Sequence, residues 1–257
     1  MDLGIAGRNA LVCASTSGIG LGIARALGDE GVRVAITGRR VELAREEAGK
    51  LPSAAGVGVD LEELGAPESL VREVVEALGE IDILVLNSGG PAPGTAREQT
   101  TASLESAIRR LLLPQQALVA LVLPGMIQRG WGRILAVGSS SITQPLPGLA
   151  ASNVGRAALA GYLKTLANEV AGEGVTVNMV LPGRIATERL ASLDEHRAQL
   201  QGVTVDELRT ASYATIPVGR YGTPDEFGAM AAFLCSEQAS YVTGTHVRVD
   251  GGLVRGF

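Results

Sequence analysis

The chain has 257 residues, 46% of them hydrophobic and 19% charged, with 34 glycines, a composition that excludes a disordered or collagen-like chain and fits a compact fold with many tight turns. Its net charge of -5, from 22 Lys+Arg against 27 Asp+Glu with no dense basic run, offers no grip on a phosphate backbone, so nucleic acid is not expected as a partner. The N-terminus carries an acid and no long apolar stretch, and no later segment runs to about 18 uninterrupted apolar residues, so a cytoplasmic protein without a membrane partner is expected.

In chain order, short apolar runs ending in Gly, Ser or Asn predict strands at residues 10–14, 33–37, 56–60, 81–86, 133–137, 175–181 and 246–249. Longer helical patterns alternate with them. That alternation predicts an α/β fold of the Rossmann type, a doubly wound parallel sheet in three layers, its apolar strands buried on both faces. No repeat or Pro/Ser-rich linker divides the chain, so a single domain over 1–257 is expected. Within the helical pattern 101–128, Pro114 has no N–H for the carbonyl of Arg110, and the helix should open or break beside Leu111. The segment 188–217 is polar and long and fits the alternation worst; it is expected to be a loop over the substrate.

After the first strand come Ser15, Ser17, Gly18, Ile19 and Gly20, then a helical stretch. Glycines at such a turn let backbone approach a pyrophosphate, whose charge the helix N-terminus favours. An ordinary tight turn is the competing reading. After the second strand, where a dinucleotide site usually has an acid for the ribose hydroxyls, the chain reads Thr37-Gly38-Arg39-Arg40. Arginines at the start of a helix oppose its dipole unless an anion compensates, and a 2′-phosphate would, so Arg39 points to NADP(H); a solvated arginine pair is the alternative. Cys13 and Cys235 stand alone in apolar runs, read as small buried hydrophobes, and no metal site is expected. His246 reads as structural, and His196 falls in the expected substrate loop.

Together with motifs further along, the chain resembles the short-chain dehydrogenases/reductases, in particular the β-ketoacyl-carrier-protein reductases, from about residue 5 to 252. The family's T-G-x-x-x-G-I-G stands as Cys13-Ala14-Ser15-Thr16-Ser17-Gly18-Ile19-Gly20, with Ala for the first Gly. Asp60-Leu61 matches the pair expected beside the adenine, and Asn87-Ser88-Gly89 matches N-A-G. Pro182-Gly183-Arg184-Ile185-Ala186-Thr187 matches P-G-x-I-x-T, expected at the nicotinamide and phosphates, and Val249-Asp250-Gly251-Gly252 matches the ending.

The resemblance implies a catalytic Ser, Tyr, Lys and Asn. The motif Gly132-Arg133-Ile134 leading to Gly138-Ser139 assigns the serine to Ser139, and the family's spacing then puts Ser152 at the Tyr position, Arg156 at the Lys position and Leu111 at the Asn position. The sequence thus fits an atypical subgroup lacking the Tyr/Lys pair. A serine hydroxyl is a far weaker acid than a phenol near pKa ~10, and a guanidinium cannot supply a proton. Arg156 could still clamp a substrate carboxylate while Ser139 and Ser152 orient a carbonyl. The expected function is an NADP(H)-dependent oxidoreductase acting on a small-molecule carbonyl or secondary alcohol, with 3-oxoacyl substrates in range. The alternative is a catalytically degenerate NADP(H)-binding sensor or partner subunit. The family likeness also implies a homotetramer, assembled through helices 101–128 and 152–172.

Overall fold

The computed structural model describes residues 1–256. All seven expected strands form: β1 (Asn9–Val12), β2 (Arg33–Gly38), β3 (Ala54–Gly58), β4 (Ile83–Leu86), β5 (Gly132–Val137), β6 (Val175–Pro182) and β7 (His246–Val249). They pair in parallel throughout, in the order β3-β2-β1-β4-β5-β6-β7. Every residue of β1, β4 and β5 is buried, as expected of strands covered on both faces. Val12 lies opposite both Ile36 and Val85, so the C-terminal ends of β1, β2 and β4 finish together at the point where the strand order reverses. Such a switch point leaves a crevice outside the sheet.

Helices α1 (Gly18–Asp29), α2 (Val41–Ala48) and α9 (Pro224–Leu234) cover one face, where Ile23, Leu27, Ala44 and Phe227 pack on Val12, Ile36 and Val85. Helices α3 (Ala66–Leu78), α5 (Leu113–Gln128) and α6 (Ala150–Val170) cover the other with Val74, Leu118, Met126 and Leu163. The helix α4 (Thr101–Leu111) packs on α6. Backbone meets backbone where α1 crosses α9: a Cβ on Gly228 would stand 2.4 Å from the Gly22 carbonyl oxygen, and one on Gly22 2.4 Å from that of Pro224.

One expectation needs correction. The segment 188–217 is not a loop; it folds into α7 (Glu188–Gln201) and α8 (Val205–Ala214). The cap signals explain this, because the Thr187 hydroxyl accepts from Leu190 N at 3.2 Å and Thr204 and Glu207 form a reciprocal capping box. Its polarity misled because these helices bury only Asp194, Ala198 and Ser212. The pattern 101–128 breaks beside Leu111 as expected, at Leu112, into α4 and α5, and Pro114 sits at the second position of α5, where a missing N–H is harmless. Together α4 and α5 are long and apolar enough to pass for a membrane-crossing helix, yet here they are broken and lie against α3, α6 and the sheet.

Candidate functional site

A cleft of ≈ 580 Å³ opens at the switch point, within the range of small-molecule and cofactor sites. Its floor is the turn from β1 into α1. Gly18 takes a left-handed φ of +57°, and a Cβ on Gly20 would meet the Ala14 carbonyl oxygen at 2.3 Å, so the turn can close only with glycine there. Ser17 lines the cleft and holds the N-cap position of α1 but makes no side-chain cap bond, which leaves the first-turn N–H groups without a side-chain acceptor. Asn87 lines the cleft and ties β4 to this turn, its Nδ2 donating to Ala14 O at 3.1 Å. Ser15, expected on the cofactor, faces inward instead: it is fully buried, its Oγ donating to Val12 O at 2.6 Å and accepting from Thr37 N at 2.9 Å. Its role is to join β1 to β2. Ile19 packs against the core beside α1.

At the adenosine end the lining includes Thr16, Gly38, Arg39, Arg40, Asp60 and Leu61. Both arginines are exposed, and among the described residues neither has an ion-pair partner. The Asp60 Oδ1 is taken by Glu62 N at 3.1 Å, and Glu62 pairs with Arg110 at 3.0 Å across the cleft. Two cations therefore stand without an acid where a ribose phosphate would lie.

The other end is built by β4, β5, β6 and the start of α6. Ser139 follows β5 and caps the short turn Ser140–Ile142, its Oγ accepting from Ser141 N at 3.1 Å; α6 packs against this turn. Ser152 is half-buried near the start of α6. Arg156 is buried, Nη1 donating to Val137 O at 2.7 Å and Nη2 to Ser88 O at 3.1 Å, so its guanidinium bridges the ends of β5 and β4. Burial, and secondly the charge of Arg189, lower its pKa from 12.5 to about 10. The residues lining the open cleft include Asn87, Ser88, Gly89 and Gly90 but not Arg156, two of whose five donors are engaged by backbone. Leu111 is fully buried, and its Cδ1 would stand 2.6 Å from a Cβ on Gly155, so it fills the α4–α6 seam.

The segment after β6 returns to the phosphate turn. Pro182 ends β6, the Gly183 N–H donates to Val249 O at 2.9 Å, and a Cβ there would strike Asp250 at 2.6 Å. Ile185 is buried, and the Ala186 N–H donates to Gly222 O at 2.8 Å. Thr187, capping α7, brings its Cγ2 to 3.3 Å from the place a Cβ would occupy on Gly18. Beyond it, the Tyr221 hydroxyl bonds Asp194 at 3.1 Å and Ser212 at 2.9 Å, and Arg184 also bonds Ser212, pinning α7 and α8 to the body. His196 is exposed on α7, and Cys13 and Cys235 are buried thiols pushed up to about 12, chiefly by burial.

Sequence reasoning missed Thr16, Gln115 and Arg189, all of which line the cleft. Gln115 is 1% exposed, and its Oε1 has no hydrogen-bond partner. Nothing in the local sequence marked it, because the break at Leu112 separates Gln115 from the helical register of Leu111. Nothing in the local sequence marks Arg189, which reaches the cleft only because α7 folds back over it.

A parallel sheet with a glycine turn entering a helix at its switch point, and a cleft crossing it, defines a dinucleotide-binding α/β protein. The chain belongs to the short-chain dehydrogenase/reductase family and is a short-chain oxidoreductase: residues 13–254 match the family described as enoyl-(acyl carrier protein) reductase. It is 34% identical to D-β-hydroxybutyrate dehydrogenase of Cupriavidus necator over 255 residues, covering 96% of this chain and 98% of that one. It is 32% identical to 3-oxoacyl-[acyl-carrier-protein] reductase of Vibrio cholerae over 252 residues, 98% of this chain and 99% of that one. Among solved structures, L-sorbose reductase of Gluconobacter frateurii, complexed with NADPH and L-sorbose, superposes with a TM-score of 0.94 at 31% identity over 100% of both chains. Actinorhodin polyketide ketoreductase with NADPH does so at 0.90 and 35% identity, over 96% of this chain and 97% of that one.

Proposed function

We infer that this protein is an NADP(H)-dependent reductase or dehydrogenase of a small-molecule carbonyl or secondary alcohol, working with an altered active site. The observation that carries the cofactor reading is the pair Arg39 and Arg40, unpaired at the N-terminus of α2 on the cleft wall, with glycine and no acid closing β2. The NADPH held by the L-sorbose reductase and actinorhodin ketoreductase structures supports it. The cradle also fits such a group: the uncapped first turn of α1 meets a pyrophosphate, and Thr187 stands beside it. Bound NADP(H) supplies or accepts the hydride. The chain holds and orients: Asp60 and Leu61 border the adenine, Asn87 and Gly89 the middle of the cofactor, and Pro182, Gly183 and Ile185 the nicotinamide end.

In this reading Ser139 and Ser152 orient the substrate oxygen, and its proton comes from water or from the substrate, since no phenol follows Ser139 at the family's spacing. Arg156 fixes the loop after β4 through Ser88. General acid/base catalysis is typically worth ~10²–10⁴ in rate, so turnover of plain ketones should be slow. Calorimetry should give tighter binding of NADPH than NADH, and Arg39→Ala should weaken NADPH alone; equal or tighter NADH binding in the parent overturns the cofactor reading. NADPH oxidation across ketones, oxo acids and ketoacyl thioesters tests the chemistry. Fast turnover of plain ketones that survives Ser152→Ala and Arg156→Ala would place the reacting groups elsewhere. The second reading, a protein that binds the dinucleotide without chemistry, is favoured by Arg156 being engaged by backbone and by Leu111 being buried; it predicts binding without turnover of any substrate tried.

A further inference from the structure

Arg189 is the second residue of α7 and lines the cleft over the Ser88–Gly90 loop, its Nη2 lying 2.6 Å from where a Cβ on Gly90 would stand. Only a glycine lets the guanidinium lie so close. Among the described residues Arg189 has no hydrogen bond or ion pair of its own, although Glu188 is its chain neighbour. On the other side of the same loop, Arg156 is bound to the Ser88 carbonyl at 3.1 Å, buried and without a carboxylate partner. Two guanidinium groups therefore flank one loop, and the charge of Arg189 adds to what burial costs that of Arg156. The lining acids, Asp60 and Glu62, are at the adenosine end, where Glu62 is occupied by Arg110. A cation in the first turn of α7 also opposes the helix dipole. All three features are relieved by one thing, an anion between Arg189 and the Ser88–Gly90 loop.

We propose that Arg189 is a specificity-determining residue that takes a free carboxylate of the substrate, so that the protein acts on oxo acids or hydroxy acids in preference to acyl thioesters or neutral ketones. The inference rests on the oxidoreductase reading and narrows its substrate class. A fork of guanidinium donors matches a carboxylate two bonds at a time, which a neutral ketone or thioester cannot offer. The cofactor's pyrophosphate has the same anionic oxygens and, with Gly89 bordering the middle of the cofactor, is the competing occupant; the first turn of α1 already offers it N–H donors, and a separate NADP+ titration distinguishes the two.

The test is equilibrium binding rather than turnover, so that it is read even in a protein with little activity. Acetoacetate and its neutral methyl ester are titrated by calorimetry into the full chain, with and without saturating NADP+, and NADP+ is titrated separately. The parent should bind acetoacetate at least about tenfold more tightly than the ester; Arg189→Gln should abolish that preference while leaving NADP+ affinity within about twofold, and Arg189→Lys should restore part of it. A parent that does not discriminate acid from ester overturns the inference, as does an Arg189→Gln variant that loses NADP+ affinity while keeping the preference, which would make Arg189 a pyrophosphate ligand. Failure of the parent to bind NADP+ at all would instead sink the oxidoreductase reading, and the titrations without cofactor would still report on Arg189.

Discussion

Ala14 occupies the place where the family's phosphate turn has glycine, and it is the one non-glycine among the described residues with a positive φ, +46°. A Cβ in the left-handed region costs roughly 1–2 kcal/mol, while the freedom a glycine adds to the unfolded chain offsets about 0.4–1. Ala14→Gly should therefore stabilise by about 0.5–1 kcal/mol and raise Tm by about 1–4 °C in a thermal scan, given the 2–4 °C per kcal/mol usual at this size; a fall would show that the methyl is needed by its surroundings. Arg156 presents the opposite case, a costly buried charge held because two carbonyls depend on it. Arg156→Met removes the cation but strands Val137 O and Ser88 O, each worth about 1–3 kcal/mol when left unmade, so a loss of about 2–4 kcal/mol is expected in urea unfolding. An unchanged midpoint would mean that the cost of burying the charge equals the bonds it makes. Reading Arg156 as the Lys replacement was possible from spacing alone; learning that its donors are engaged required the two strand ends that meet around it.

The helices show which local signals survive into the fold. Thr223 and Glu226 cap α9 reciprocally, and the Arg220 guanidinium, then the Thr223 N–H, hold the Glu226 carboxyl well below 4.5, at about 2. A carboxyl whose folded pKa is depressed contributes stability above its unfolded pKa and loses it as pH falls through the folded value. Glu226→Gln should consequently be less stable than the parent at pH 7, with the difference shrinking between about pH 4.5 and 2 in urea titrations at stepped pH. A constant difference would assign the effect to packing. Where α1 crosses α9 the contact is set by glycine alone, and Gly228→Ala, which drives a methyl into the Gly22 carbonyl, should cost about 1–3 kcal/mol. The caps Thr187, just before the segment 188–217, and Thr204, within it, were equally present in the sequence. They were outweighed by its polarity, because helices that bury one narrow side have few apolar residues to mark a period.

At the scale of the whole molecule, α5 leaves Leu113, Leu121 and Ile127 exposed, and α6 leaves Val154 43% exposed. In the homotetramer that the family likeness implies, these side chains would meet their equivalents. Sedimentation equilibrium at micromolar concentration should give a tetramer, or at least a dimer, and Leu121→Asp with Val154→Asp should dissociate it without unfolding; a monomeric parent refutes this. If the cofactor reading holds, NADPH at a hundred times its Kd should add about 2.7 kcal/mol to stability, while the Arg39→Ala variant should gain less at the same concentration.

The sequence by itself determined the parallel sheet, the glycine turn and the pair of arginines on the cleft wall, because apolar runs, glycines and the Arg39-Arg40 pair act through neighbours close in the chain. It also located Ser139, Ser152 and Arg156, since spacing along one strand and one helix is a local property. Only the tertiary structure decided what those groups face. Ser15 turns inward to hold Thr37, Arg156 is taken up by carbonyls from two different strands, and Leu111 closes on Gly155. Arg189, with nothing local to mark it, comes to lie over Gly90. Side-chain direction at a site depends on which segments distant in sequence arrive beside it, and burial then forces every polar group to take whichever partner that arrangement supplies.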